Sequence, residues 1–133
     1  MKKIISIITL VLITIFSFSQ TQGQLNDDAQ NEFEKADKEL NKIYNTILKS
    51  YRSDTVFIKN LKRSQKLWVQ LRDVEMIVKF PDREHKYYGS VLPMCWSLYK
   101  EELTRRRINE LSVWLNGVEE GDVCTGSVKI KTQ

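Results

Sequence analysis

A chain of 133 residues, 41% hydrophobic and 29% charged, has room for one domain built around one core. Its formal charge of +4, from 21 Lys and Arg against 17 Asp and Glu, is too small for a polycation that grips nucleic acid by charge alone. One histidine and two cysteines far apart make no metal-ligand set, so no metal or other cofactor is expected.

Lys2 and Lys3 precede an apolar run from position 4 to about position 18, which ends in Ser17-Phe18-Ser19. A basic start, about 15 apolar residues and a small-x-small ending describe an export signal cleaved near Ser19. The run falls short of the roughly 18 residues of a membrane span, so no membrane anchor is expected in the mature form. Removal of two lysines lowers the charge from +4 to about +2. Thr21 to Gln24 form a short polar stretch, and residues 20–26 are expected to be a disordered leader.

Three helices and a tail follow. In the first, from about 27 to 51, Phe33, Ala36, Leu40, Tyr44, Ile47 and Tyr51 fall within about 60° on a helical wheel. Ser53-Asp54 signals the N-cap of the second helix, whose stripe is read as Phe57, Leu61, Ser64, Trp68, Leu71 and Glu75. That helix stops near Phe80, because Pro81 cannot continue it. The connection 82–90 is the longest, with Arg83, His85, Lys86, Tyr87, Tyr88 and Gly89. The third helix starts around Val91 to Pro93, carries Leu92, Trp96, Leu103, Leu111 and Trp114 on one broad face, and ends at Asn116-Gly117. Three helices joined by short links predict an all-α, up-down-up antiparallel three-helix bundle over residues 27–117. The tail, 118–133, is read as irregular or as one short edge strand.

Several charged residues fall inside or beside the apolar stripes. Asp37 lies within the first stripe with Asn41 at its flank, Arg72 falls in the buried sector of the second, and Arg107 sits near the middle of the third. An unpaired buried charge is prohibitive, so these groups are expected to meet, with Asp37, Asp73 and Glu75 as the available acids. The arrangement could be a structural network or a ligand site. No serine, cysteine or histidine nucleophile stands beside a plausible base, since the sole histidine is His85 in the connection. The network reading is therefore preferred, no catalytic residue is expected, and the chain is not read as an enzyme.

Cys95 and Cys124 both lie in the exported part, where a disulfide is the default. Closing it needs a nearly extended tail folded back along the third helix, or an earlier helix end, since Cys95 precedes the expected helix end by roughly 31 Å.

Ala36-Asp37-x-x-Leu40-Asn41-x-x-Tyr44, Leu61-x-x-x-Gln65-x-x-Trp68-x-x-x-Arg72-Asp73, Gly89-Ser90, and Cys95 followed by Leu103-Thr104-x-x-Arg107-x-x-x-Leu111 form a distinctive set. Together they resemble the LprI-type lysozyme-inhibitor N-terminal domain, over roughly residues 24–115. The resemblance implies a small exported bacterial helical protein of the envelope, periplasmic or secreted, with Asp37, Asn41, Trp68, Arg72, Asp73, Thr104 and Arg107 as its structural polar network. Members usually carry a cysteine early in helix 1 and another just after the Arg-Asp pair; Asp28 and Met76 stand at those positions here.

If the resemblance extends to function, the partner is a lysozyme, whose cleft works through two carboxylates. Arg83, His85, Lys86, Tyr87 and Tyr88 offer cations, donors and aromatic contacts on an exposed connection, and are the candidate partner-binding residues. A charge of about +2 opposes approach to the strongly basic animal-type lysozymes. The alternative is a non-enzymatic envelope interaction module with another protein partner and no lysozyme target.

Overall fold

The computed structural model describes residues 2–84, 86–121 and 123–131, with side chains from residue 21 onward. The side chains of the expected export signal and the whole of His85 lie outside the described residues. The described chain is all-α: helix α1 (Lys2–Ser50), helix α2 (Thr55–Lys79), one 3-10 turn (Gly89–Val91) and helix α3 (Leu92–Asn116). No strand occurs among the described residues, and no helix among them is long and apolar enough to cross a membrane.

Each boundary has a local cause. The Asp54 side chain accepts from the Phe57 N–H at 2.9 Å and caps α2. The Phe80 N–H closes that helix on the Met76 carbonyl at 2.9 Å, immediately before Pro81. Pro93 stands in the first turn of α3, where its missing N–H costs nothing. Residues 20–26, expected as a disordered leader, instead continue α1. Extending a nucleated helix is inexpensive, and Gln22 donates to Asn26 at 3.0 Å to support the added turn.

The core gathers Ala36, Leu40, Ile47 and Tyr51 of α1, Leu61 of α2, and Ile108 and Leu111 of α3. Complete burial of a side chain such as Ile47 or Leu111 contributes about 1.5–3 kcal/mol. Two polar residues of α3 that the apolar pattern does not reveal, Ser97 and Thr104, are also buried. Ser97 donates to the Gln30 side chain at 3.0 Å and Thr104 to the Lys100 carbonyl at 2.8 Å, so neither hydroxyl is stranded.

Contacts between α1 and α3 advance together along both helices: Gln30 with Ser97, Glu39 with Arg105, Tyr51 with Trp114. Contacts with α2 run the other way, with Asp37 against Arg72 and Tyr51 against Phe57. The packing is consistent with the expected up-down-up order. Helix α2 is turned relative to the stripe expected for it. Leu61, Arg72 and Met76 are its buried residues, while Leu71 is 55% exposed. Leu61, Arg72 and Met76 are separated by eleven and four residues, about three turns and one turn, so Met76 joins the inward Arg72 while Leu71 turns out.

The tail folds back on one end of the bundle. Gly117 adopts φ 72°, and the Val118 N–H then donates to the Lys129 carbonyl at 3.0 Å while the Lys131 N–H donates to the Val118 carbonyl at 2.9 Å. These bonds form a parallel bridge between Val118 and Ile130. A Cβ on Gly117 would lie 2.8 Å from the Lys129 carbonyl oxygen. The Tyr51 hydroxyl donates to the Trp114 carbonyl at 3.0 Å and accepts from the Lys129 N–H at 3.3 Å, which fastens the tail to α1 and α3 together.

This fastening explains a correction. Cys95 and Cys124 form no disulfide: Cys95 is half-buried in the first turn of α3, and Cys124 is exposed in the tail. The Gly117 turn holds the tail at the opposite end of α3, roughly 31 Å from Cys95 by helix length.

Candidate functional site

The connection between α2 and α3 is built on an aromatic base. Phe80, the C-cap of α2, packs edge-on against Tyr88 and Tyr99 and at a tilt against Trp96, with ring centroids 5.9 to 6.3 Å apart. The Tyr88 hydroxyl donates to the Pro81 carbonyl at 3.1 Å and closes the loop on itself. Two tight turns complete it: Tyr87 N–H to the Glu84 carbonyl and Gly89 N–H to the Lys86 carbonyl, each 3.1 Å. Lys86 takes φ 71°, a left-handed conformation uncommon for any residue but glycine.

Above this base the loop presents cations and an aromatic ring. Tyr87 is 66% exposed, the Arg83 guanidinium lies 5.1 Å from its ring centroid, and Lys86 is exposed beside it. A cleft of ≈ 600 Å³ opens next to them, walled by Ile77, Phe80, Leu92 and Trp96 and rimmed by Arg83 and Lys86. Arg83, Lys86, Tyr87 and Tyr88 are therefore brought together; Tyr88 serves as the support and the other three as the surface. Leu92 and Trp96 were expected on one face of the third helix, but the cleft itself was not legible, because its opposite wall, Ile77 and Phe80, comes from a different helix end.

The inward-facing charges stand elsewhere. The buried Arg72 guanidinium is 3.5 Å from Asp37 and 3.3 Å from Asp73, while Asn41 donates to Asp37 Oδ2 at 3.1 Å. Asp37 and Asp73 are about half exposed, so these ties run along a bundle groove and not through a dry core. Arg107 does not meet Asp37, Asp73 or Glu75. It pairs with Glu110 one turn ahead at 2.8 Å and donates to Gln65 and Ser64 of α2 at 3.1 Å each. Both guanidiniums lie against the Trp68 ring, at 5.2 Å for Arg72 and 5.8 Å for Arg107. Thr104 stands apart from all of them, bonded within α3. Every guanidinium here is engaged by a fixed protein partner, which suits a tie between helices.

Residues 17–111, more than half of the chain, match the family described as lysozyme inhibitor LprI. The chain belongs to the LprI family. No curated protein and no solved structure matched it. In this LprI chain Met76 is almost fully buried, and Asp28 is exposed on α1.

No groups of three or more His, Cys, Asp or Glu that could hold a metal occur among the described residues. Among the described residues, shifted acidities are confined to surface pairs and one tyrosine. Hydrogen bonding to Lys131 and its charge hold Glu119 below the ordinary glutamate range, and Arg106 does the same to Glu102. Burial pushes the Tyr44 hydroxyl above its usual value. None of these groups lines the cleft.

Proposed function

We propose that this LprI-family chain is an exported, non-enzymatic envelope protein that binds a lysozyme through the connection between α2 and α3. Family membership supports a protein partner of that kind. In this reading the export signal is removed near Ser19, and the mature protein is an up-down-up bundle in the periplasm or outside the cell. The observation that carries the placement is the pairing of Arg83, Lys86 and Tyr87 on a turn whose base is fixed by Phe80 and Tyr88. A glycosidase cleft presents one ionised and one protonated carboxyl group, and a cationic plug with an aromatic contact satisfies both while excluding the sugar.

A turn already held in shape loses little freedom on binding, which favours affinity. The positive charge of the chain disfavours long-range attraction to a strongly basic lysozyme. It favours a less basic lysozyme, or another envelope protein with an acidic recess. The test is lysis of bacterial cell walls by lysozymes of differing charge, with and without the exported protein at micromolar concentration. Inhibition strongest for the least basic lysozyme is expected; unimpeded lysis by all of them rejects the lysozyme reading.

A further inference from the structure

A second cleft, of ≈ 550 Å³, lies between α2 and α3 at the end of the bundle away from their connection. The two helices pass it in opposite directions. At one end the Phe57 and Trp114 rings meet at 6.0 Å; seven residues along each helix, the Arg107 guanidinium meets Ser64 at 3.1 Å. Between those contacts lie Leu61 and Leu111 of the hydrophobic core, so the cleft reaches the centre of the bundle on the side where α2 packs less closely. About two helical turns, roughly 10 Å, separate its aromatic end from its basic end. We propose that this cleft binds a free monocarboxylate with an unbranched apolar body of that length, the chemistry of a medium-chain fatty acid. Its carboxylate sits on Arg107 and its hydrocarbon runs over Leu61 and Leu111 toward Phe57 and Trp114.

The basic end is a set of converging donors. The Arg107 side chain is only 12% exposed, and Glu110, its acid partner, is not part of the cleft wall. Its bonds to Gln65, Glu110 and Ser64 use one N–H on each nitrogen, which leaves one on Nη1 and one on Nη2 for a planar anion. Ser64 accepts from Arg107 and so keeps its own O–H to donate. The Asn60 amide, one turn back on the same wall, makes no hydrogen bond among the described residues. The other end carries Asp54, which caps α2 and opposes a second anionic group, so the ligand is charged at one end only. A cationic amphiphile seated on Asp54 would press its apolar end against the guanidinium and desolvate it without compensation. A peptide carboxylate would lay amides over Phe57, Leu61 and Leu111, whose backbone groups are bound within the helices or to Asp54, and strand them. A hydrocarbon strands nothing. The site does not depend on the lysozyme reading, whose contact turn lies at the other end of the bundle.

Titration of isotope-labelled protein with octanoate to about 2 mM tests the site by magnetic resonance. The Trp114 indole N–H, which donates to Ser127 on the cleft wall at 3.1 Å, is the reporter, and the Trp96 indole in the other cleft is the control. A saturable shift of the Trp114 signal is expected, with a dissociation constant on the order of 100 µM, while Trp96 stays in place. Octanol and octylammonium should bind at least about tenfold more weakly, and acetate should leave the signal unmoved. Ser64→Asp places a carboxylate on Arg107 itself; it should keep the parent's melting temperature and weaken octanoate at least about tenfold. No shift at Trp114, octanol or octylammonium binding as tightly as octanoate, or undiminished affinity in the folded Ser64→Asp variant overturns the proposal. Tighter binding of a short apolar peptide through its C-terminal carboxylate overturns it as well.

Discussion

Arg72 reaches Asp37 across the groove between α2 and α1 at 3.5 Å, while its guanidinium also lies 5.2 Å from the Trp68 ring. The pair joins two helices that otherwise approach each other less closely than α1 and α3 do. Both halves of the contact, the ion pair and the stacked ring, depend on the planar guanidinium, which lysine does not reproduce. Arg72→Ala is expected to destabilise by about 1–3 kcal/mol in chemical unfolding, less than a fully dry ion pair because Asp37 and Asp73 are half exposed. Arg72→Lys should recover only part of that. A double-mutant cycle with Asp37→Ala should show coupling well below the cost of Arg72→Ala alone, since Trp68 carries the remainder.

Gly117 ends α3 at φ 72° with the Lys129 carbonyl against its α-carbon. Gly117→Ala meets both a strained backbone and a clash with main-chain oxygen, and an expected loss of about 1–3 kcal/mol follows. Amide exchange should show the loss concentrated at Val118 and Lys131, whose N–H groups make the bridge. Unchanged protection there contradicts the fastened tail.

Tyr51→Phe removes one hydroxyl that serves both the Trp114 carbonyl and the Lys129 N–H. The ring still packs against Phe57 at 4.6 Å, so the cost is that of the hydrogen bonds, about 1–2 kcal/mol. Calorimetric unfolding of the variant beside the parent measures it.

Acid should loosen the tail before it affects the core. The Lys131 hydrogen bond and charge lower the Glu119 pKa in the folded protein, so this pair contributes fully above the ordinary glutamate range. Its contribution disappears as pH falls through the depressed folded value. Both groups are exposed, so the effect is local: the Lys131 and Val118 amides should lose protection on acidification, and Glu119→Gln should remove that pH dependence.

The first helix was legible because its core residues are apolar and evenly spaced: Ala36, Leu40, Ile47 and Tyr51 are all buried as the wheel places them. The second was legible only in part: Arg72 was placed inward and is buried, but α2 is apolar on two faces and hydropathy chose Leu71 over Met76. Two helices share the Trp68 contact, and only tertiary packing shows that Arg72 and Arg107 converge on that ring while keeping separate acidic partners. The Arg107–Glu110 pair was available from helical spacing, since residues three apart are neighbours on a helix. The cysteine pairing failed for want of any periodic signal in the tail, whose path is set by the Gly117 turn and the Tyr51 hydroxyl. In the connection, Arg83, Lys86 and Tyr87 were legible by composition, but the cleft of Ile77, Phe80, Leu92 and Trp96 required the two helix ends to meet.

The placement of function at the α2–α3 connection is tested most directly by titrating a susceptible lysozyme with the parent protein and with an Arg83→Ala, Lys86→Ala, Tyr87→Ala variant in the cell-wall lysis assay. Removal of exposed hot-spot contacts should weaken inhibition at least about tenfold while the variant keeps the parent's melting temperature. Equal inhibition by a folded variant contradicts the account and moves the contact surface away from this turn.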